Sequence, residues 1–287
     1  MGLLGQVIRK VILILEMIKF EHTIFALPFA FMGAILARHE IPSLNKVLWI
    51  LMAMVGARSA AMASNRLIDA QLDAQNPRTQ MRALPQGLIS KKTVKAFIAT
   101  SSILFFVSAY KLNRLAFYLS PLALIIVLLY PYTKRFTWAC HIYLGLCLGM
   151  APVGGWIAIS GTLEPLPLLL GLGVIFWVAG FDILYAALDY EFDKKVGIYS
   201  LPVHVGMRKA LWISSFLHFI TFLCFLLIGY WAHLGKAYFY GMGVIFLILI
   251  VEHAIISPSD LSRVNHSFFT FNGIISVLLL VVTVMGL

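Results

Sequence analysis

Asn65-Arg66-Leu67-Ile68-Asp69-Ala70-Gln71-Leu72-Asp73 and Asp182-Ile183-Leu184-Tyr185-Ala186-Ala187-Leu188-Asp189-Tyr190-Glu191-Phe192-Asp193 each close a long apolar stretch of this 287-residue chain. Asn65, Asp69 and Asp73 step by four. So do Tyr185, Asp189 and Asp193, with Asp182 one turn before Tyr185, and each member of the first trio lies 120 residues before its counterpart. On a helix a step of four keeps side chains on one face. Ionised groups at bilayer depth are costly and functional by default. Two facing carboxylate clusters would hold hard cations such as magnesium, and those cations would hold a diphosphate.

Working outward, the chain is 61% apolar and only 12% charged, with a mean hydropathy of +0.92. A soluble protein carries about twice that charge fraction, so this is a polytopic membrane protein. The net charge is +10. The basic residues cluster in short loops between apolar runs, which reads as orientation in a membrane and not as nucleic-acid binding. Cys140, Cys147 and Cys224 lie inside apolar segments without CxxC or zinc spacing and read as small core residues. The eight histidines show neither HExxH nor any paired-ligand spacing, and His22 and His204 lie near segment ends. Met1–Glu21, interrupted by Arg9, Lys10 and Lys19, reads as an interfacial amphipathic helix and not as a cleavable signal.

A span needs about 20 mostly apolar residues. Nine candidates follow, at 22–38, 46–66, 93–111, 115–132, 138–160, 166–188, 209–231, 237–257 and 267–287. With the N-terminus inside, this arrangement puts 16 of the 22 Lys and Arg residues on the inner side and five on the outer, leaving Arg58 within a span. That bias predicts a cytoplasmic N-terminus and places both acidic clusters at the cytoplasmic ends of spans two and six. The 120-residue offset suggests two related four-helix halves, spans two to five and six to nine, with span one added. The expected fold is therefore all-α, a single integral-membrane domain.

After the first cluster, Asn76-Pro77 disfavours helix, so span two should end near Asp73. The loop then offers Arg78 and Arg82, whose planar forks suit phosphate oxygens. After the second cluster come Lys194 and Lys195. Asp182, Asp189 and Asp193 share a face, and Glu191 points away from it. Stacked carboxylates repel each other, and magnesium takes one or two carboxylates together with substrate phosphates.

The pattern resembles the UbiA-type intramembrane prenyltransferases. The resemblance rests on NxxxDxxxD with its Asn-Pro-Arg-Thr and Arg82 loop, on DxxYxxxDxxxD, on Tyr130-Pro131-Tyr132-Thr133-Lys134-Arg135 and on the count of nine helices. The stretch Lys19-Phe20-Glu21-His22-Thr23-Ile24-Phe25-Ala26-Leu27-Pro28 looks like the 4-hydroxybenzoate polyprenyltransferase branch, including the subgroup of bacteria that make menaquinone by the futalosine route. The resemblance implies helices around a central cavity, magnesium dependence and transfer of a prenyl chain from a polyprenyl diphosphate to a hydroxyaryl carboxylic acid.

On that reading Asp69, Asp73, Asp189 and Asp193 hold magnesium as a Lewis acid on the departing oxygens, and Asp182 helps through a water or an outer contact. Arg78, Arg82, Lys134 and Lys194 bind the outer phosphate oxygens. Tyr130 and Tyr185 offer ring faces to an allylic cation, with packing at the membrane interface as the alternative for Tyr130. Arg58, seven residues before Asn65, anchors the acceptor carboxylate or pairs with a helix carbonyl, and Asn65 bonds the phenol or orients a metal ligand. 4-Hydroxybenzoate would lead toward ubiquinone and a dihydroxynaphthoate toward menaquinone. A cation- or proton-coupled transporter is the alternative of a different class, disfavoured because the aspartates sit toward one side beside phosphate-type loops. The compact length without a transit segment favours a bacterial inner membrane.

Overall fold

The computed structural model describes residues 11–19 and 25–287, and the expectations for His22 and for most of the N-terminal amphipathic segment lie outside them. Among the described residues there is no β-sheet. Helices α1 (Leu27–Leu36), α2 (Leu44–Ile68), α3 (Ala70–Gln75), α4 (Lys91–Leu112), α5 (Arg114–Thr133) and α6 (Cys140–Ser160) form the first part of the chain. Then come α7 (Pro165–Ala186), a 3-10 turn (Ala187–Asp189), α8 (Tyr190–Val196), α9 (Leu201–Val205), α10 (Met207–Trp231) and α11 (Lys236–Ala254). The last helix, α12 (Val264–Gly286), passes through a π-turn at Ser267–Phe271.

Eight of these segments are long and apolar enough to cross a membrane. Seven of them lie within three residues of the predicted spans at both ends, and the eighth, Pro165–Val196, runs on through the 3-10 turn and α8 past the predicted end at 188. The other expected span, 22–38, begins outside the described residues, and its described helix is α1, ten residues. At 1.5 Å per residue it rises about 15 Å, half of a hydrocarbon core of about 30 Å.

Asp69 also interrupts what periodicity read as one helix running to Asp73. It takes φ −88° and ψ 2°, closing α2 and opening α3. Asp189, its counterpart 120 residues on, takes φ −103° and ψ 8° between the 3-10 turn and α8. Both segments therefore bend at the central residue of the motif, Asp69 or Asp189. Each bend carries the last aspartate, Asp73 or Asp193, on a short separate helix.

Packing follows chain order in part: α2 lies along α4, α6 along α7 and α7 along α10, while α1 crosses onto α6. The α1–α6 contact needs glycine on both sides. A Cβ at Gly33 would meet the Pro152 carbonyl oxygen at 1.9 Å, and one at Gly155 the Ala30 carbonyl oxygen at 1.9 Å. Such close backbone approach is what membrane helices use where no hydrophobic drive brings them together. The main core is aromatic, with Phe29 5.1 Å from Trp177 and Trp177 edge-on to Phe181 at 4.9 Å. Large apolar side chains such as Leu247, Tyr118 and Trp212 stay exposed on the outside, as lipid contact requires.

Gly33→Ala should therefore lower stability by about 1–3 kcal/mol, the usual cost of overpacking, seen as a lower melting temperature in detergent. Gly243→Ala, whose Cβ would meet nothing within 4 Å, should leave it unchanged or slightly raised.

Candidate active site

A cavity of about 500 Å³ runs into the bundle from the ends of α2 and α7. Its deep part is apolar, walled by residues such as Ile50, Phe105, Leu112, Ala116, Leu148 and Ile157. Its mouth is charged. Asp69, Asp73, Asp182, Asp189 and Asp193 all line it, with Arg58, Asn65, Arg78, Arg82, Tyr130, Lys134 and Tyr185. The two acidic stacks thus converge on one space, as their spacing predicts.

Local chemistry sets the mouth. Asn76, the residue before Pro77, is extended at ψ 119° and ends α3, because proline disfavours a helical predecessor. Its side-chain oxygen accepts from the Arg78 N–H at 2.9 Å, and Thr79 Oγ1 donates to the Asp73 carbonyl at 3.0 Å. These bonds fold the loop back over α3 and aim its arginines at the carboxylates. Arg82 Nη1 lies 2.7 Å from Asp73 Oδ1. Arg78 reaches across to the other stack, gripping Asp189 through Nε at 2.9 Å and through Nη2, while Nη1 donates to the Tyr185 hydroxyl at 2.8 Å. Its guanidinium lies 4.9 Å above the Tyr185 ring. Burial works against the Arg78 charge, but the hydrogen bond and charge of Asp189, with those of Tyr185, outweigh it and raise its pKa. From the end of α5, Lys134 Nζ donates to Asp69 Oδ2 at 2.6 Å.

Repulsion within the carboxylate stacks is thus offset by interleaved cations from other segments. Asp69 Oδ1 is buried and ion-paired with Arg135, whose Nη2 lies 3.1 Å away. Asp73 Oδ2 is buried without a hydrogen-bond partner. A buried, unpartnered carboxylate oxygen beside a polar mouth and other carboxylates suits a hard divalent cation, so the residues fit a magnesium site.

Lys194 is a correction. It is exposed and lies outside the cavity, its Nζ 5.9 Å from the Tyr190 ring, because a residue next to Asp193 on a helix faces elsewhere. Asp182 turns to His141, whose Nδ1 is 2.7 Å from Asp182 Oδ2. His141 Nε2 accepts the Leu201 N–H at 3.1 Å, so the proton sits on Nδ1. Arg58 lines the cavity and donates through Nη2 to the Lys19 carbonyl at 3.0 Å. Asn65 Nδ2 donates to Asp69 Oδ2 at 3.2 Å, the orienting option of the two expected for it. The sequence reading passed over Asn76, which donates to Asp189 Oδ1 at 2.9 Å, and Arg135 and His141. Asn76 and Arg135 lie within the quoted motifs, but His141 carries no local signal.

Polar grip and apolar depth in one cavity suit a substrate with a charged head and a hydrocarbon tail, and the class of protein so defined is an intramembrane prenyltransferase. The chain belongs to the UbiA prenyltransferase family, which its residues 26–274 match. It is 30% identical over 252 residues to a 4-hydroxybenzoate octaprenyltransferase of Nitrosomonas eutropha, covering 86% of each chain. A protein of the same description from Alcanivorax borkumensis is 30% identical over 227 residues, 79% of this chain and 78% of that one. Among solved structures, a UbiA homolog from Aeropyrum pernix K1 superposes with a TM-score of 0.83 at 36% identity, covering 90% of this chain and 95% of its own. A UbiA homolog from Archaeoglobus fulgidus bound to DMAPP and Mg²⁺ shares the fold, with a TM-score of 0.65 at 21% identity over 93% of this chain and 98% of that one.

His141→Ala would strip partners from Asp182 and from the Leu201 N–H. It should cost about 1–3 kcal/mol, the price of leaving buried polar groups unmade, read as a lower melting temperature in detergent. Truncation of exposed Lys194 should leave the melting temperature in place.

Proposed function

We propose that this chain transfers a polyprenyl group from a polyprenyl diphosphate to the ring of a hydroxylated aromatic acid, with 4-hydroxybenzoate as acceptor and magnesium as cofactor. One observation carries the reading: both aspartate stacks and the loop arginines meet at the charged mouth of an otherwise apolar cavity. Names borne by the relatives favour 4-hydroxybenzoate as the acid.

Asp69, Asp73, Asp189 and Asp193 would hold the magnesium. The chemistry it supplies when bound is neutralisation of negative charge on the leaving diphosphate. Arg78, Arg82 and Lys134 reach the same space and would bind the remaining phosphate oxygens. The C–O bond breaks with its electron pair leaving on the diphosphate. A ring carbon beside the phenol attacks the allylic carbon, a C–C bond forms, and the ring gives up the proton on that carbon. Tyr185, held under Arg78 and packed on Phe268 at 4.4 Å, offers an aromatic face to the developing cation, and Tyr130 lines the same space. Apolar walls keep water from the cation. Arg58 would anchor the acceptor carboxylate bidentately, and Asn65 keeps Asp69 in place. Lys and Arg gather at the mouth end, so the mouth faces the cytoplasm of a bacterial inner membrane, with the N-terminus on that side.

Purified chain given a polyprenyl diphosphate, magnesium and labelled 4-hydroxybenzoate should yield prenylated acid, and a chelator should abolish the product. No product from this acid, with turnover of a dihydroxynaphthoate instead, would overturn the acceptor. Asp69→Asn and Asp189→Asn should each lower kcat about a hundredfold or more while the protein still inserts in the membrane. Arg58→Ala should raise KM for the aromatic acid far more than for the donor, and Arg78→Ala should do the reverse. Equal shifts in both constants would reject these assignments.

A further inference from the structure

A second polar centre is buried away from the catalytic cavity, where α7, α10, α11 and α12 meet. His218 and Glu252 are 1% and 0% exposed, and His253 is half-buried beside them. One potential ligand atom from each of His218, Glu252 and His253 lies within 4.8 Å of the other two. His253 Nε2 is 3.0 Å from His218 Nδ1, and Glu252 Oε2 is 3.3 Å from the same nitrogen. Ligands at the corners of a tetrahedron with metal–ligand bonds of about 2.0–2.1 Å stand about 3.3 Å apart.

The surroundings fix each group. His218 Nε2 is 3.1 Å from the Trp177 carbonyl oxygen. A carbonyl only accepts, so Nε2 carries a proton and Nδ1 faces the cluster, where the Nε2–H tautomer presents its lone pair. Glu252 Oε1 accepts from Ser267 Oγ at 2.8 Å and from Asn272 Nδ2 at 3.1 Å. Its other oxygen, Oε2, is buried without a hydrogen-bond partner, 3.3 Å from His218 Nδ1. Metal-binding histidines donate their second nitrogen to a carbonyl, and metal-binding carboxylates are themselves hydrogen-bonded. Both arrangements are present. Room for the His218 ring depends on Gly180, where a Cβ would lie 2.3 Å from its Cδ2. A separate cavity of about 250 Å³, bordered by Arg208, Trp212 and Ser215, reaches His253 and gives a way in.

A single proton bridges two atoms, whereas three donors converge here. We propose that His218, Glu252 and His253 form a binding site for a divalent transition-metal ion of the zinc class, with a fourth position toward the cavity at His253. Two imidazoles and one carboxylate suit such an ion, while magnesium prefers oxygen alone. The site is distinct from the aspartate stacks, none of whose residues it shares.

Metal-free full-length protein in detergent, titrated with Co²⁺, tests this. One equivalent should give the intense visible bands of a low-coordinate ion with nitrogen ligands, bleached by Zn²⁺. X-ray absorption of that sample should show imidazole scattering from two histidines. Asp69→Asn should leave the bands unchanged. His253→Ala should abolish them, and Asn272→Ala, which frees Glu252, should weaken Co²⁺ binding about ten- to a hundredfold. Only the faint bands of a six-coordinate all-oxygen ion, with no intense bands in either the wild-type protein or Asp69→Asn, or absorption without imidazole scattering, would overturn the proposal. So would bands that persist in His253→Ala.

Discussion

A carboxylate at the end of an apolar helix must find positive charge, and this bundle is arranged around that demand. Isolated, such a group would take up a proton or force the helix end out of the protein. Here Asp69, Asp73 and Asp189 are met by cations, Lys134 from the end of α5 and Arg82 and Arg78 from the loop after α3, and Asp182 by His141 from α6. The contacts of Lys134, Arg78 and His141 are cross-ties between elements far apart in sequence. The pairing that lowers the cost of the charges also gathers the helix ends into one mouth. Partly buried pairs of this kind add little net stability against apolar packing, yet losing one partner is severe. Their retention points to use of the charges.

The bend at Asp69 and Asp189 explains how two stacks can face a common substrate. A straight helix would keep Asp73 and Asp193 directly in line with the residue one turn back. The bridge conformation at the central aspartate turns the following helix, so that Asp73 and Asp193 are buried against the mouth. The shared bend falls at the same member of each motif. It is local to the motif, and the flanking helices differ in length and glycine content.

Hydropathy made the long helices legible, because lipid imposes a length and excludes charge. Spacing made the five aspartates legible, because a helix maps steps of four onto one face. Other features had no such rule. The bend leaves no mark in periodicity, since aspartate fits both helix and break. Lys134 and Lys194 look alike as basic residues beside a motif, but Lys134 reaches Asp69 from another helix while Lys194 is turned outward by its own. His141 meets Asp182, and His218 meets Glu252, only because distant helices pack together. Ligand spacing within one segment detects only sites built on one segment, so the histidines look scattered along the chain, because the four groups of the two buried pairs lie on four different helices. α1, the described helix of the expected first span, is buried against α6 and the aromatic core.

The two polar centres are not independent in space. Glu252 holds Ser267 in the π-turn that opens α12, and the next residue, Phe268, stacks on Tyr185. Tyr185 in turn takes a hydrogen bond from Arg78, which grips Asp189. Phe268 also packs edge-on against Phe25 and Phe181, so the turn forms one wall of the catalytic cavity. A π-turn is a wider and less common backbone than an α-turn, found where a side chain must be re-aimed. Here it is tied down by a fully buried carboxylate on the neighbouring helix. The position of the aromatic wall therefore depends on how firmly Glu252 is itself held, and that is the physical route by which the histidine centre bears on the shape of the active site.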